Sequence, residues 1–204
     1  MKSNAKKPTG APPRPRTKPA GVRRDELMDA AEALFIKNGV AATSIDDIAS
    51  LADVAKGTFY LHFVSKDRLL ADLQQRFVAR MHETLVRAMN RLGDDDWVGR
   101  LDAWVETSID RYLDTADLHH VVFHEFTAAP KEPAHDNRVV EELARLLDAG
   151  VQAGAFKTEE ALVTATMLFH ALHGLVHDSA TGERPDRQRL ILCAREFSRR
   201  AVGA

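Results

Sequence analysis

Cysteine is almost absent from this sequence, in which Cys193 is the one residue of its kind. A single cysteine excludes an intrachain disulfide and any Cys-x-x-Cys metal or redox site, and such usage favours a reducing compartment. Long apolar runs are lacking too. The most apolar stretch, 161–176, is interrupted by His170 and His173 and is too short to span a bilayer. No apolar segment follows the basic N-terminal residues, so a secretory signal is not predicted. We therefore predict a cytoplasmic protein that makes no membrane contact.

The sequence also lacks the local motifs of the common enzyme classes. It contains no His-Glu-x-x-His metal motif, phosphate-binding loop, nucleophile elbow or dinucleotide fingerprint. A metallohydrolase site built from the histidines and carboxylates is the enzymatic alternative that these absences leave open. We predict that the protein is not an enzyme and that it carries no cofactor.

Acidic residues are missing from the first 24 positions, which hold eight lysines or arginines. The rest of the chain has 20 basic and 30 acidic residues, so a basic arm precedes an acidic body. Five of the eight prolines lie in this arm, and large apolar residues are nearly absent before Val22. Such a segment cannot bury a core, and proline disfavours both helix and sheet. We predict a disordered arm over residues 1–21, which either contacts a polyanion or is a plain solvated tail.

The pattern from Val22 onward is helical throughout. Apolar residues recur at spacings of three and four, and no convincing alternation of the kind that marks strands is present. Ser44 and Asp47 form a predicted N-terminal capping pair, Gly39 and Gly93 are predicted helix ends, and Gly150 and Gly154 are together predicted to close another helix. We predict an all-α fold of about nine to ten helices, which include 45–52, 55–61, 97–113, 159–178 and 186–200.

Two of these predicted helices, 45–52 and 55–61, are short and meet at a tight corner formed by Asp53 and Val54. Longer helices precede and follow them, which is the arrangement of a helix-turn-helix. An α-helix fits the major groove of DNA, and the N-terminal residues of the second helix then reach the base edges. The second short helix, within 55–63, is therefore the predicted DNA-reading element.

The segment from Leu27 to Leu70 resembles the DNA-binding domain of the TetR family of bacterial regulators. The matching residues are Ala30-Ala31-x-x-Leu34-Phe35-x-x-x-Gly39, Thr43-Ser44-Ile45-x-x-Ile48-Ala49, Ala52-x-Val54 and Gly57-Thr58-Phe59-Tyr60-x-His62-Phe63-x-Ser65-Lys66-x-x-Leu69. The resemblance implies a helix-turn-helix domain over 22–70 and a helical effector-binding and dimerisation domain over 71–204.

The chain departs from the family pattern at two positions. Asp53 stands where the family usually has glycine, and Ala55 stands where it often has a capping serine. Aspartate tolerates a left-handed backbone better than most residues, so the corner is expected to form. The missing cap is expected to cost about 1 kcal/mol.

The resemblance also implies which side chains contact DNA. Thr43 and Ser44 begin a helix, where hydroxyls and free amides suit a phosphate. Lys56 and Thr58 are expected to reach base edges, and Gly57 to let the backbone approach the groove. The predicted DNA-binding residues are thus Thr43, Ser44, Lys56, Gly57, Thr58, Tyr60, His62 and Lys66, of which the last three would contact phosphates. The alternative for the polar ones is a helix cap or a solvated side chain.

The basic arm enters the first helix beside this surface. We hypothesise that its cations follow the minor groove or the phosphates, and these cations are Arg14, Arg16, Lys18, Arg23 and Arg24.

The remainder of the chain is predicted to pair two copies and to bind an effector. By resemblance, the dimer contact comes from helices 159–178 and 186–201, with 136–149 as a further candidate; the alternative is that 159–178 is a central helix of one protomer. Aromatic residues, a methionine and histidines suggest a pocket for a small molecule, and plain core is the alternative for each. The predicted pocket residues are Trp104, Tyr112, Phe123, His124, Phe126, Met167, His170 and His173.

The histidines leave a further alternative open. Several share helix faces at chelating spacings, so a metal or haem effector is the alternative, but no compact metal motif is present and no metal site is predicted. We predict a ligand-responsive regulator, a repressor released from a palindromic operator in double-stranded DNA. The alternative is a DNA-binding architectural protein that senses nothing.

Overall fold

A computed structural model describes residues 19–123, 138–180 and 186–204. Within these ranges the chain forms helices and no strand, which confirms the predicted all-α class. The helices are α1 Ala20–Asn38, α2 Ile45–Leu51, α3 Lys56–His62, α4 Lys66–Met89, α5 Trp97–Asp114, α6 Ala116–Phe123, α7 Arg138–Gln152, α8 Ala161–Ala180 and α9 Arg187–Ala201. Among the residues so described, no helix has both the length and the apolar character needed to cross a membrane.

Helix starts follow local chemistry. Ser44 forms the predicted capping box with Asp47 at the start of α2, and Ser65 caps α4 by accepting from the Arg68 amide. These contacts satisfy amide groups that the first turn of a helix leaves without partners. Asp96 and Asp186 cap α5 and α9 in the same way. The sequence signals therefore position α2 and α4 without tertiary help.

Helix ends were predicted less well. Gly39 ends α1 with a positive φ of 79°, as expected. The prediction that Gly93 ends α4 was wrong, because the helix already ends at Met89. Of the two glycines predicted to close α7, Gly154 follows the end of the helix with a φ of 76°, whereas Gly150 does not close it. It lies inside α7, where a side chain would collide with the ring of Phe156, so this glycine serves close packing rather than a turn.

Two apolar cores are stacked along α4. The N-terminal core joins α1, α2 and α3 to the first part of α4 and includes Phe35, Ile48 and Phe59. The C-terminal core joins the second part of α4 to α5, α7, α8 and α9 and includes Trp104. Val121 and Val122 of α6 belong to the N-terminal core. The predicted domain boundary at 70/71 therefore falls inside one continuous helix, and α6 is packed against the N-terminal unit.

Ion pairs fasten α4 to α1. Arg24 Nη2 lies 2.6 Å from Oδ2 of the buried Asp72, and Arg76 bridges Asp29 and Glu32 at 2.7 and 2.6 Å. Arg23 pairs with Glu26 at 3.0 Å. Arg23 and Arg24 pair with carboxylates of α1 and α4, and whether they also follow DNA with the arm stays a prediction. Arg14, Arg16 and Lys18 lie outside the described residues.

Candidate functional site

The predicted corner between α2 and α3 forms as expected. Asp53 adopts the left-handed conformation with φ 53°, and the Val54 amide donates to the Ala49 carbonyl at 3.0 Å. Ala55 precedes α3 without a side-chain cap, also as expected. Phe59 is fully buried and lies 5.6 Å from the ring of Phe63. This packing fixes the rotation of α3, so the opposite side of the short helix points to solvent.

The predicted contact residues on α3 lie on or beside this open surface. Lys56, Gly57 and Tyr60 are exposed, whereas Thr58 and His62 are half-buried. Nothing lies within 4 Å of the position where Gly57 would carry a side chain. The Tyr60 ring meets Phe59 edge-on at 5.5 Å, which directs the phenol outward from the buried ring. The structure brings these five residues together on one short element.

Lys56 is held by a carboxylate of the preceding helix. Its Nζ donates to Asp46 Oδ2 at 2.8 Å, and both side chains are exposed. This hydrogen bond and the charge of Asp46 raise the pKa of Lys56. An exposed pair of this kind is weak and screened by salt, so a phosphate or base edge can compete for the ammonium.

Burial removes the Thr43 hydroxyl from the reach of a phosphate, so that predicted contact was wrong, whereas phosphate contact by the exposed Ser44 stays a prediction. Thr43 is 1% exposed, and its hydroxyl donates to the Gly39 carbonyl at 2.8 Å. The Ser44 amide and hydroxyl both donate to Asp47 Oδ2, at 2.9 and 2.6 Å, and these hydrogen bonds lower the pKa of Asp47. This capping box leaves the Ser44 side chain exposed and is compatible with a phosphate contact. Thr43 stabilises the loop before α2 instead.

Lys66 also acts on this loop. Its Nζ donates to the carbonyl oxygens of Val40 and Thr43, at 2.6 and 2.9 Å. An ammonium has three N–H donors, so two are engaged with the backbone and one is left for a phosphate. Its principal contact ties the start of α4 to the residues between α1 and α2.

A second candidate site lies where α4, α5, α6 and α8 meet. His119 of α6 and His173 of α8 face each other with their Nε2 atoms 3.2 Å apart. The Tyr112 ring meets both imidazoles edge-on, at centroid distances of 5.1 and 5.0 Å. Burial raises the pKa of the Tyr112 phenol. The effector cluster, as we call it, consists of Phe77, Tyr112, His119, Phe123, Phe169 and His173.

The effector cluster overlaps only in part with the predicted pocket. It contains Tyr112, Phe123 and His173, and it adds Phe77, His119 and Phe169, which were not in the predicted set. Of these, Phe169 could have been predicted from the sequence, because it lies four positions before His173 and so on the same helix face. The pairing of His119 with His173 joins two distant helices and has no local signature.

Three predicted pocket residues lie elsewhere. Trp104 is buried in the C-terminal core, and its indole Nε1 has no hydrogen-bond partner there. Met167 is 67% exposed, and His170 is exposed as well, because α8 turns that side away from the cluster. His124 and Phe126 lie outside the described residues. A surface groove of about 460 Å³ runs along α4 and contains none of the predicted residues; it is lined by His82, Glu83, Val86, Arg87, Asn90 and Arg91.

Metal-binding side chains are not grouped in the described ranges. No three histidine, cysteine, aspartate or glutamate residues there lie close enough to hold one ion. The described part of the effector cluster offers two imidazoles and a phenol among aromatic rings. Such a lining suits an organic molecule with a polar group better than a metal ion, which needs at least three protein ligands.

An exposed apolar face follows α8 and α9. On α8 it includes Val163 and Met167, and on α9 it includes Leu192 and Phe197, which are 63% and 54% exposed. Ala165, Leu168, Leu172 and Val176 occupy the inward side of α8. Large apolar side chains concentrated on neighbouring helices are typical of a protein interface. We call these outward residues the α8–α9 face.

Two family models match the chain. The model described as "Bacterial regulatory proteins, tetR family" matches residues 27–73, and the model described as "Tetracyclin repressor-like, C-terminal domain" matches residues 96–195. The first match contains α2 and α3, and the second contains most of the helices that form the C-terminal core. The two matches together cover most of the chain.

Several regulators of known name have similar sequences. The regulator TtgR of Pseudomonas putida is 41% identical over 79 residues, which are 37% of this chain and 36% of TtgR, so the match spans about a third of that protein's length. The repressor KstR2 of Rhodococcus jostii is 28% identical over 162 residues, or 72% of this chain and 74% of KstR2. The activator FasR of Mycolicibacterium smegmatis is 30% identical over 130 residues, or 63% and 58%.

Solved structures share the fold. A Rhodococcus protein of unknown function aligns with a TM-score of 0.76 and 20% identity over 89% of this chain and 96% of its own. FadR of Bacillus subtilis, in complex with stearoyl-CoA, aligns with a TM-score of 0.68 and 18% identity over 87% and 97%. SmeT, in complex with triclosan, aligns with a TM-score of 0.65 and 20% identity over 88% and 91%. At these identities the likeness shows the fold alone.

Proposed function

Because this chain belongs to the TetR family of bacterial transcriptional regulators, we propose that it is a homodimeric repressor that an effector releases from a palindromic operator. Proteins of this family are DNA-binding regulators and not enzymes. The observation that carries the proposal is the position of α3, whose buried Phe59 turns Lys56 and Tyr60 to solvent. Residues up to about the middle of α4 bind DNA, the remaining helices bind the effector and the second copy, and the protein acts in the cytoplasm with its operator.

DNA binding by α3 combines reading and anchoring. Lys56 exchanges Asp46 for a phosphate or a base edge, while Tyr60 and His62 on the flanks of the helix contact phosphates. Lys66 holds the loop before α2 and donates its remaining N–H to the backbone of the DNA. Two copies related by a twofold axis place their α3 helices about 34–36 Å apart, in successive major grooves.

The first test of this proposal replaces Lys56 and Tyr60 together by alanine. Each lost contact costs about 1–3 kcal/mol and the dimer loses four of them, so the affinity for a duplex selected from a random pool is expected to fall by at least about 100-fold. Fluorescence anisotropy of a labelled duplex measures the loss. The salt dependence of the remaining binding is also expected to be shallower, because each copy has lost one cation that can neutralise a phosphate.

The matched control for this variant is Arg145→Ala, which removes an exposed cation from α7. It is expected to bind the duplex like the parent protein. Circular dichroism and light scattering establish that each variant is folded and keeps the parent's oligomeric state. A folded Lys56/Tyr60 variant with unchanged affinity and unchanged salt dependence would refute DNA reading by α3.

The dimer is supported by the α8–α9 face. Its large apolar side chains lie on the two helices that family resemblance assigns to dimerisation. The exposed Ala171 and Gly174 of α8 leave room for a second helix to approach closely. Repression then requires no contact with the polymerase, since a dimer seated over a promoter excludes it. The names of the relatives include both a repressor and an activator, and KstR2, which is matched over 74% of its length, is a repressor.

Effector binding is assigned to the effector cluster because α6 connects that cluster to the DNA-binding unit. His119 of α6 faces the cluster, while Val121 and Val122 of the same helix are buried in the N-terminal core. The Gln74 amide of α4 donates to the Val122 carbonyl, which fastens α6 to α4. A molecule that separates His119 from His173 displaces α6, and with it the spacing of the two α3 helices. Release requires that the ligand prefer this state by several kcal/mol.

The second test replaces His119 and His173 together by leucine. The parent complex with operator DNA is titrated with small molecules that have a large apolar part, among them stearoyl-CoA and triclosan, the ligands bound by the neighbours FadR and SmeT. For a compound that releases the parent, the variant is expected to require at least about 10-fold more, since each lost hydrogen bond to the ligand costs about 1 kcal/mol. Its affinity for DNA without ligand should stay within about twofold of the parent's if it is folded.

The control for the second test is His82→Leu, a histidine on α4 outside the cluster. It should respond to the compound as the parent does. An unchanged response of the His119/His173 variant would place effector binding elsewhere, and release by metal ions alone would favour a metal sensor.

A further inference from the structure

We propose that Leu61 of α3 reads the C5-methyl group of thymine in the major groove and so determines which operator the protein prefers. This inference rests on the proposed function, in which α3 lies in the groove. Leu61 was not among the predicted contact residues. It is 82% exposed, the largest exposure of any bulky apolar side chain in the described ranges.

The position of Leu61 on the helix is the first argument. Phe59 and Phe63, four positions apart, define the buried side of α3 and its end. With 3.6 residues per turn, Leu61 stands about 180° from the mean direction of those two rings. It therefore projects from the centre of the outward side, where a helix seated in the groove faces the base pairs.

The neighbours of Leu61 give the second argument. Gly57 lies one turn before it and has open space in place of a side chain, so nothing screens Leu61 from the groove. Thr58, three positions earlier, supplies a methyl and a hydroxyl beside it. The cationic and phenolic groups of Lys56 and Tyr60 stand to one side of this strip, and the imidazole of His62 stands to the other. The centre of the reading side is thus apolar, and its flanks are polar.

Base chemistry then selects the target. The major-groove edges of adenine, guanine and cytosine present hydrogen-bond donors and acceptors, and thymine alone adds a methyl group. An aliphatic side chain offers no hydrogen bond, so the methyl group is the feature that it can bind with a gain in free energy. Contact with the methyl group also removes the Leu61 side chain from water. The burial of this apolar surface contributes favourably to the free energy of DNA binding.

The experiment replaces thymine by deoxyuridine, which removes the methyl group and keeps the base pair. A duplex site is first selected with the full-length parent protein, and each thymine pair related by the site's symmetry is then substituted in turn. At one symmetric pair the parent is expected to lose about 15-fold in affinity, or about fourfold per half-site, the effect of leaving one methyl-sized group uncovered. The Leu61→Ala protein should bind the thymine and deoxyuridine duplexes within about twofold of each other.

Thr58→Ser is the matched control, because it removes the neighbouring methyl group and keeps the hydroxyl. This variant should retain the parent's sensitivity to deoxyuridine. Sensitivity that persists in Leu61→Ala, or that disappears in Thr58→Ser instead, would overturn the assignment. Equal binding of both duplexes by the parent at every position would overturn it as well while leaving DNA binding intact. Failure of the parent to select any sequence would overturn the proposed function and this assignment together.

Discussion

Replacing Leu192 and Phe197 of α9 together by glutamate is expected to give a monomer whose affinity for operator DNA is lower by about 100-fold or more. Both side chains are more than half exposed in one protomer and belong to the α8–α9 face. Burying each of these side chains at an interface stabilises the dimer by about 1.5–3 kcal/mol. Two glutamates on each copy would instead repel those of the partner across the twofold axis. In a dimer, binding of one copy to its half-site holds the other copy at a high local concentration near the second half-site. This effect raises the overall affinity by a factor of about 10²–10⁴, and the monomer lacks it.

Two measurements separate this expectation from simple misfolding. Sedimentation velocity reports the mass of the folded variant, and a bismaleimide joins two parent copies through the exposed Cys193 if the twofold axis passes near the middle of α9. Ile36→Glu changes an exposed apolar residue on α1 and should leave the mass unchanged. A double variant that sediments as a dimer and binds the operator like the parent would show that the copies meet through another surface.

The helix-turn-helix was predictable because its signals are local. Ser44 and Asp47 are three positions apart, and their capping box depends on no distant residue. Asp53 lies at a corner where the backbone turns left-handed, a conformation that aspartate tolerates. The burial of Phe59 follows from the spacing of apolar residues along α3. These elements were therefore predicted within one or two residues of their observed bounds.

The contacts that decide function were less accessible to sequence reasoning. The position of Thr43 at a helix start suggested a phosphate site, but its hydroxyl satisfies the carbonyl of Gly39 across the loop. The local sequence does not predict this hydrogen bond, because it depends on where the end of α1 lies relative to the start of α2. Leu61 was left out for a related reason: its exposure becomes informative only once the burial of Phe59 and Phe63 fixes the rotation of the helix.

Helix α8 shows why the pocket was predicted only in part. Its sequence is apolar nearly all round, so periodicity does not reveal which side faces inward. Packing against α5 and α7 turns His173 toward His119, whereas Met167 and His170 point outward. Apolar residues of α8 therefore line the effector cluster on one side and form an exposed surface on the other. Only the tertiary contacts of α8 determine which side is which.

Replacing Arg195 and Arg199 together by alanine is expected to lower the free energy of unfolding by about 3–5 kcal/mol, the largest stability effect that we predict. Asp102 of α5 is 4% exposed, and both arginines of α9 donate to it, Arg199 Nε at 2.9 Å. Their removal leaves a buried carboxylate without its charged partners, and that is costly. Urea denaturation measures the loss, with parent and variant at one protein concentration because dimerisation contributes to stability.

The effect should depend on pH in a defined direction. Burial alone raises the pKa of Asp102, but the hydrogen bonds from Arg199 and Arg195 outweigh it and hold this pKa below its ordinary value. In the parent, the stabilisation is therefore complete above the unfolded pKa and is lost only as the pH falls through the lower folded value. In the double variant burial acts unopposed and raises the pKa, so protonation relieves the penalty. The difference between the two proteins should narrow as the pH falls from about 7 to about 4.

A third substitution shows whether the unpaired charge or the lost packing is responsible. Adding Asp102→Leu to the Arg195/Arg199 variant removes the buried carboxylate while keeping a similar volume, and it should restore at least about half of the lost free energy. If it restores nothing, and if the deficit of the double variant is the same at pH 7 and pH 4, the arginines stabilise α9 through their aliphatic stems instead. The ion pair would then have no part in holding Leu192 and Phe197 in place on the surface that joins the two copies.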